Sequence, residues 1–92
     1  MEYEIVYSEK FNEDIEAHKK SGEKSILEKI DILINELREH PTTGTGKPEP
    51  LKGGRKGQWS RRITQKHRLV YEIQYNVVAV FMISAISHYN VR

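Results

Sequence analysis

Residues 59–86 read WSRRITQKHRLVYEIQYNVVAVFMISAI, and this stretch decides the fold. It contains three segments rich in β-branched and aromatic residues, 59–63, 67–73 and 77–86. Branched and aromatic side chains pack well on a pleated surface, so each segment predicts a strand. Only Thr64-Gln65-Lys66 and Gln74-Tyr75-Asn76 separate them, and polar breaks this short suit hairpins. The segment 77–86 is apolar on both faces, which places it inside a sheet rather than at an edge.

Upstream, Tyr3-Glu4-Ile5-Val6-Tyr7 alternates as a short strand does. Ser8 can cap a helix that follows, with Phe11, Ile15 and His18 on one face. Gly22 supplies a break. Ile26, Leu27, Ile30, Leu33, Ile34 and Leu37 then form an apolar stripe at helical spacing, and Pro41 stops that second helix. Residues 41–57 hold three prolines and five of the six glycines, so they predict a loop, long enough to expect a function. The order is β-α-α-β-β-β. It predicts an α+β domain, a twisted and mainly antiparallel sheet with both helices on one face and the other face open to polar residues.

Ninety-two residues is the length of one domain, 1–92. Without cysteine there is neither a disulfide framework nor a thiolate metal site, and no motif in the chain points to a cofactor. Met1-Glu2-Tyr3-Glu4 lacks the basic and apolar regions of a signal peptide. The longest apolar run, 77–83, is too short to cross a bilayer. A cytoplasmic protein with no membrane association is expected.

The net charge of +2 conceals a strong asymmetry. Residues 1–46 carry six Lys or Arg against eleven Asp or Glu, whereas residues 47–68 carry eight against one. A concentrated cationic stripe is the footprint of a polyanion site. The single acid inside it, Glu49, lies between Pro48 and Pro50. Prolines fix their own φ and push the preceding residue toward extended geometry, so Lys47 and Glu49 should both be extended and the carboxylate held stiffly. A stiff carboxylate among cations suggests chemistry on the polyanion as well as binding.

Strand alternation puts Trp59, Arg61 and Ile63 on one face and Ser60 and Arg62 on the other. If Trp59 and Ile63 face the helices, Arg62 faces the open side and Arg61 must run along apolar surface to an edge. Arg62 is therefore the better phosphate ligand, and Arg61 reads equally well as a solvated strand charge. Arg68 opens an otherwise apolar strand, so it pairs with an acid or faces a site, and its guanidinium suits a phosphate bidentately. Lys52, Arg55 and Lys56, taken singly, supply flexible electrostatic attraction. His18 and His40 read as structural or exposed, and His67 as a turn residue. His88 and Tyr89 follow the last strand; a histidine there can transfer protons near neutrality and a tyrosine can stack on a base.

Four blocks in this order, 46–52 (GKPEPLK), 59–64 (WSRRIT), 67–71 (HRLVY) and His88-Tyr89, resemble the YoeB/Txe branch of the RelE toxin superfamily. The resemblance spans nearly the whole chain and is most specific over 46–71. It implies a bacterial type II toxin that enters the ribosomal A site and cuts the bound mRNA. The implied reaction is metal-independent attack of a ribose 2′-OH on the adjacent phosphorus, giving a 2′,3′-cyclic phosphate and a 5′-OH. By the same resemblance, Glu49 matches the general base, His88 the general acid and Arg68 the arginine on the pentacovalent phosphate. Lys52 and Arg62 match supporting phosphate contacts, Tyr89 matches the aromatic beside the substrate, and Lys56 joins them as a candidate RNA contact. Implied partners are a cognate antitoxin with an acidic C-terminal segment, the ribosome and mRNA, and operator DNA only through the antitoxin complex. Relatives of this branch typically end at the His-Tyr pair, whereas Asn90-Val91-Arg92 follow it here. The segment between Tyr71 and His88 is also longer than usual, with the excess placed near Tyr75-Asn76. Two other functions compete on the same fold, a catalytically silent RNA- or ribosome-binding module and a gyrase-inhibiting toxin. The Glu49, Arg68 and His88 set disfavours both.

Overall fold

The computed structural model describes residues 2–53 and 57–86. Strand β1 (Glu4–Tyr7) leads into helix α1 (Glu9–Lys20), and helix α2 (Lys24–Leu37) follows. Then come β2 (Glu49–Pro50), β3 (Gln58–Arg62), β4 (Arg68–Gln74), a single 3-10 turn (Tyr75–Val77) and β5 (Ala79–Ser84). The five strands form one sheet in the order β1-β5-β4-β3-β2. Only the β1–β5 pair is parallel; the other three are antiparallel. The fold is α+β and mainly antiparallel, as the segment pattern predicts.

Ser8 caps α1 as expected, its hydroxyl oxygen accepting from the Phe11 amide at 3.0 Å. Gly22 turns the chain between the helices at φ +73°, a conformation that costs a residue with a Cβ but not glycine. The α2 stripe is the core: Ile26, Ile30, Leu33, Ile34 and Leu37 pack with Leu69, Tyr71, Ile73, Val80 and Met82 from the sheet. Leu33, Leu37, Leu69, Val80 and Met82 are fully buried, each contributing roughly 1.5–3 kcal/mol of apolar burial. Trp59 packs against the same core, so the β3 alternation runs in the expected sense.

Four sequence-based expectations shift. The stretch 41–57 is not all loop, because Glu49–Pro50 form the two-residue edge strand β2, paired with Ser60 and Trp59. The last strand starts at Ala79, not residue 77, because Val78 turns left-handed (φ +51°) and its amide donates to the Tyr75 carbonyl at 3.2 Å. Helix α2 ends at Leu37, with Arg38 as its C-cap, well before Pro41. Lys47 is not extended but stands at φ +52°, where the chain turns into β2.

Helix α1 also grips the far end of β5. Asp14 Oδ2 accepts from the amides of Ala85 (2.9 Å) and Ile86 (3.0 Å). His18 Nε2 donates to the Ala85 carbonyl at 3.1 Å, which places the ring proton on Nε2. The Ser8 hydroxyl donates to the Ile83 carbonyl at 2.9 Å. Past Ser84 the backbone leaves the ladder, and Asp14 and His18 take over the hydrogen bonds of Ala85 and Ile86. Burial raises the Asp14 pKa, but the Lys10 ammonium at 2.7 Å and the two amides outweigh it, and the net shift is downward.

The sign of that shift sets a pH dependence. The folded-state pKa lies below the ordinary 3.8, so Asp14 contributes stability that is complete above that value. It is lost as pH falls through the depressed folded value. Asp14→Asn, which pairs imperfectly with two amide donors, should cost about 1–3 kcal/mol near neutral pH. The deficit should shrink as the solution is acidified below pH 3.8, and urea melts of both proteins across pH 2–7 measure it. An equal deficit at every pH would remove the carboxylate charge from the account.

Candidate functional site

On the sheet face opposite the helices, three strands bring polar residues into register. Glu49 of β2 lies directly across from Ser60 of β3, and Arg62 of β3 directly across from Arg68 of β4. Arg68 Nη1 donates to Glu49 Oε2 and to Ser60 Oγ, each at 3.2 Å. The Arg68 side chain is 7% exposed and that of Glu49 is 52% exposed. The guanidinium is therefore set into the sheet surface with its direction fixed from beneath, while the carboxylate meets solvent. Arg62 is exposed beside them, as is Lys52 just past β2. Of the two readings offered for Arg68, the pairing with an acid is the one seen, and the pair lies on the open side of the sheet.

The pair offers a proton acceptor and a rigid two-pronged cation within one hydrogen bond of each other. That combination suits a substrate that loses a proton at one atom and gains negative charge at a neighbouring one. Lys56, His88 and Tyr89, the other site candidates, lie outside the described residues, as does Arg55. Ile86, the last described residue, is two positions before His88. Among the described residues no group of three or more His, Cys, Asp or Glu side chains could hold a metal ion.

Arg61 corrects the sequence reading. It does not run to an edge and is not solvated; its side chain is fully buried on the helix side of β3. Its Nε donates to Tyr71 Oη at 3.2 Å. Nη1 donates to Glu36 Oε1 at 2.9 Å and to the Thr45 carbonyl at 3.4 Å, and Nη2 to the carbonyls of His40 and Thr43. Tyr71 Oη in turn donates a hydrogen bond to the Pro41 carbonyl at 2.8 Å. Hydrogen bonds from the Thr45 hydroxyl and amide, with Arg61 close by, hold the Glu36 carboxyl below its ordinary range. Burial pushes the Tyr71 phenol up. The eight cations of 47–68 are thus not one stripe, because Arg61 works on the opposite side of the sheet. Alternation with Trp59 and Ile63 already put Arg61 on the core face; a core arginine needs an acid, and Glu36 lies beside the Leu33–Leu37 stripe.

His67 is the turn residue expected: its amide donates to Thr64 Oγ1 at 3.0 Å, and its ring meets that of His18 edge-on at 5.0 Å. Asp14 escaped the sequence reading. The signal was present, since position 14 is three residues after Phe11 and four before His18, on the buried face of α1.

A family model described as the YoeB-like toxin of bacterial type II toxin-antitoxin systems matches residues 7–89. The chain belongs to the YoeB-like toxin family. Toxin YoeB of Escherichia coli K12 is 55% identical over 51 residues, which cover 55% of this chain and 61% of that toxin's own length. A YoeB/ParE toxin from Agrobacterium tumefaciens superposes with a TM-score of 0.85 at 37% identity, covering 94% of this chain and 99% of that one. The toxin in a YoeB-YefM complex from Staphylococcus aureus superposes with a TM-score of 0.78 at 33% identity, covering 97% and 100%. The described residues include no helix long and apolar enough to cross a membrane.

Proposed function

We propose that this YoeB-like chain, acting as a single domain over residues 1–92, is a cytoplasmic, ribosome-dependent mRNA endoribonuclease held in check by an antitoxin. The observation that carries the proposal is the exposed Glu49 carboxylate within 3.2 Å of the set-in Arg68 guanidinium. Glu49 takes the proton of a ribose 2′-OH. The freed oxygen attacks the adjacent phosphorus, and Arg68 donates to the oxygens on which negative charge gathers. His88 gives a proton to the departing 5′-oxygen. The bond from phosphorus to the 5′-oxygen breaks, leaving a 2′,3′-cyclic phosphate and a 5′-OH. Lys52, Lys56 and Arg62 draw and hold the RNA backbone, and Tyr89 stacks beside the cut nucleotide. The base asymmetry of the chain favours an acidic antitoxin segment that folds onto this surface. The YoeB-YefM complex from Staphylococcus aureus supports an antitoxin partner. Operator DNA would be met only within that complex.

The test is the identity of the cut ends. Purified protein, freed of any partner, is added to ribosomes programmed with a defined mRNA, and the fragments are sequenced and treated with phosphatase and kinase. Cyclic phosphate and 5′-OH ends at an A-site codon are expected, with little cutting of the same RNA without ribosomes. Ends bearing 5′-phosphate would defeat the acid–base scheme. Arrested translation with intact mRNA would favour a silent ribosome-binding module.

A further inference from the structure

We propose that Arg61 is a positioning residue for Glu49, acting from the far side of the sheet; this rests on the assignment of Glu49 as the general base. The chain between α2 and β2 has no ladder to follow, so its carbonyls need other donors. Residues 40, 41, 43 and 45 find them in a single cluster: Arg61 donates to the carbonyls of His40, Thr43 and Thr45, and Tyr71 to that of Pro41. Glu36 closes the cluster by accepting from the Thr45 amide at 2.8 Å and the Thr45 hydroxyl at 2.6 Å.

The path from this cluster to Glu49 is short and is fastened at Gly44 and Gly46. At Gly44 a Cβ would lie 2.5 Å from Glu36 Oε1 and 3.1 Å from Arg61 Nη1, so the backbone is drawn right onto the pair. The Gly46 carbonyl accepts from the Arg62 amide at 2.7 Å, and a Cβ on Gly46 would lie 2.9 Å from the Arg62 carbonyl. Three residues later Glu49 sits opposite Ser60. Ser60, Arg61 and Arg62 are consecutive in β3. One short strand thus fixes the approach to Glu49 through Arg61, on the helix side, and through the Arg62 amide. It receives Glu49 itself at Ser60, above Arg68 on the open side.

Arginine is suited to this and lysine is not. The guanidinium spends Nε, Nη1 and Nη2 on five acceptors spread over α2, β4 and the loop. An ammonium has three donors from one point and no planar fork. A loosened loop should leave RNA binding in place and misplace the carboxylate.

A double-mutant cycle with single-turnover cleavage on programmed ribosomes tests this. Arg61→Lys, shown folded by circular dichroism, is expected to lower the maximal rate about tenfold or more, with the half-saturating ribosome concentration within about threefold of wild type. In a Glu49→Gln background the same change should cost less than about twofold, because the group it positions is gone. If Arg61→Lys does not fold, Glu36→Gln takes its place in the cycle, since it keeps the shape and removes the charge facing Arg61; about a threefold loss is expected, again absent with Glu49→Gln. A full, independent loss in the Glu49→Gln background, or a wild-type rate from a folded positioning variant, overturns the proposal while leaving Glu49's own role intact. A wild-type rate from Glu49→Gln alone defeats the assignment of the base, and with it this proposal.

Discussion

Replacing Glu49 by glutamine is expected to slow single-turnover mRNA cleavage by roughly two orders of magnitude or more, and replacing His88 by glutamine to do the same. Glutamine keeps the volume and the strand geometry of position 49 but cannot accept the 2′-OH proton. The backbone of β2 is held by Ser60 and by the Leu51 amide on the Gln58 carbonyl at 2.9 Å, neither of which involves the carboxylate. Binding to ribosomes should therefore change little, and the loss should fall on the maximal rate. Rapid-quench cleavage assays together with ribosome pelleting separate the two quantities. Cleavage at the wild-type rate by either variant would remove that residue from the proton-transfer scheme.

The second large effect belongs to the guanidinium beneath Glu49. Arg68→Lys should lose about 10²–10³-fold in rate, comparable to removing a donor aimed at developing negative charge. An ammonium could donate to Glu49 and Ser60, but it lacks the second, coplanar nitrogen with which a guanidinium meets a phosphate bidentately. Arg62→Lys should lose less than about tenfold, because that side chain is exposed and acts through its charge. At rest Arg68 leans on Glu49, so a bound phosphate would draw on the donor that Glu49 uses in the free protein. Measured rates in the opposite order would exchange the roles of the two arginines.

What the chain revealed in advance follows from where its signals are local. The α2 stripe, the Ser8 cap and the alternation of β3 are set by neighbours within a few residues, and all three hold. Glu49, Arg62 and Arg68 were legible because charge in a proline-rich loop or at the head of an apolar strand is locally conspicuous. Strand β2 was not, since two residues carry no period and their pairing is created by β3. The left-handed Val78 and Lys47 run against residue preference and are imposed by their surroundings. Arg61 and Asp14 have partners 25 and 71 residues away, so their roles exist only once the chain has folded.

The parallel pairing of β1 with β5 joins residues as far apart as Glu4 and Ala79. Such a contact closes a loop of most of the chain, and its entropy must be lost before the pairing gives anything back. Synthesis delivers β1 early and β5 late, so β1 waits, unpaired, until the strand that covers its hydrogen-bonding edge has been made. The Asp14 and His18 grip on Ala85 waits with it. A sheet wired in this way takes β1 in only after residues 79–84 exist, so any surface that depends on all five strands is assembled after β5.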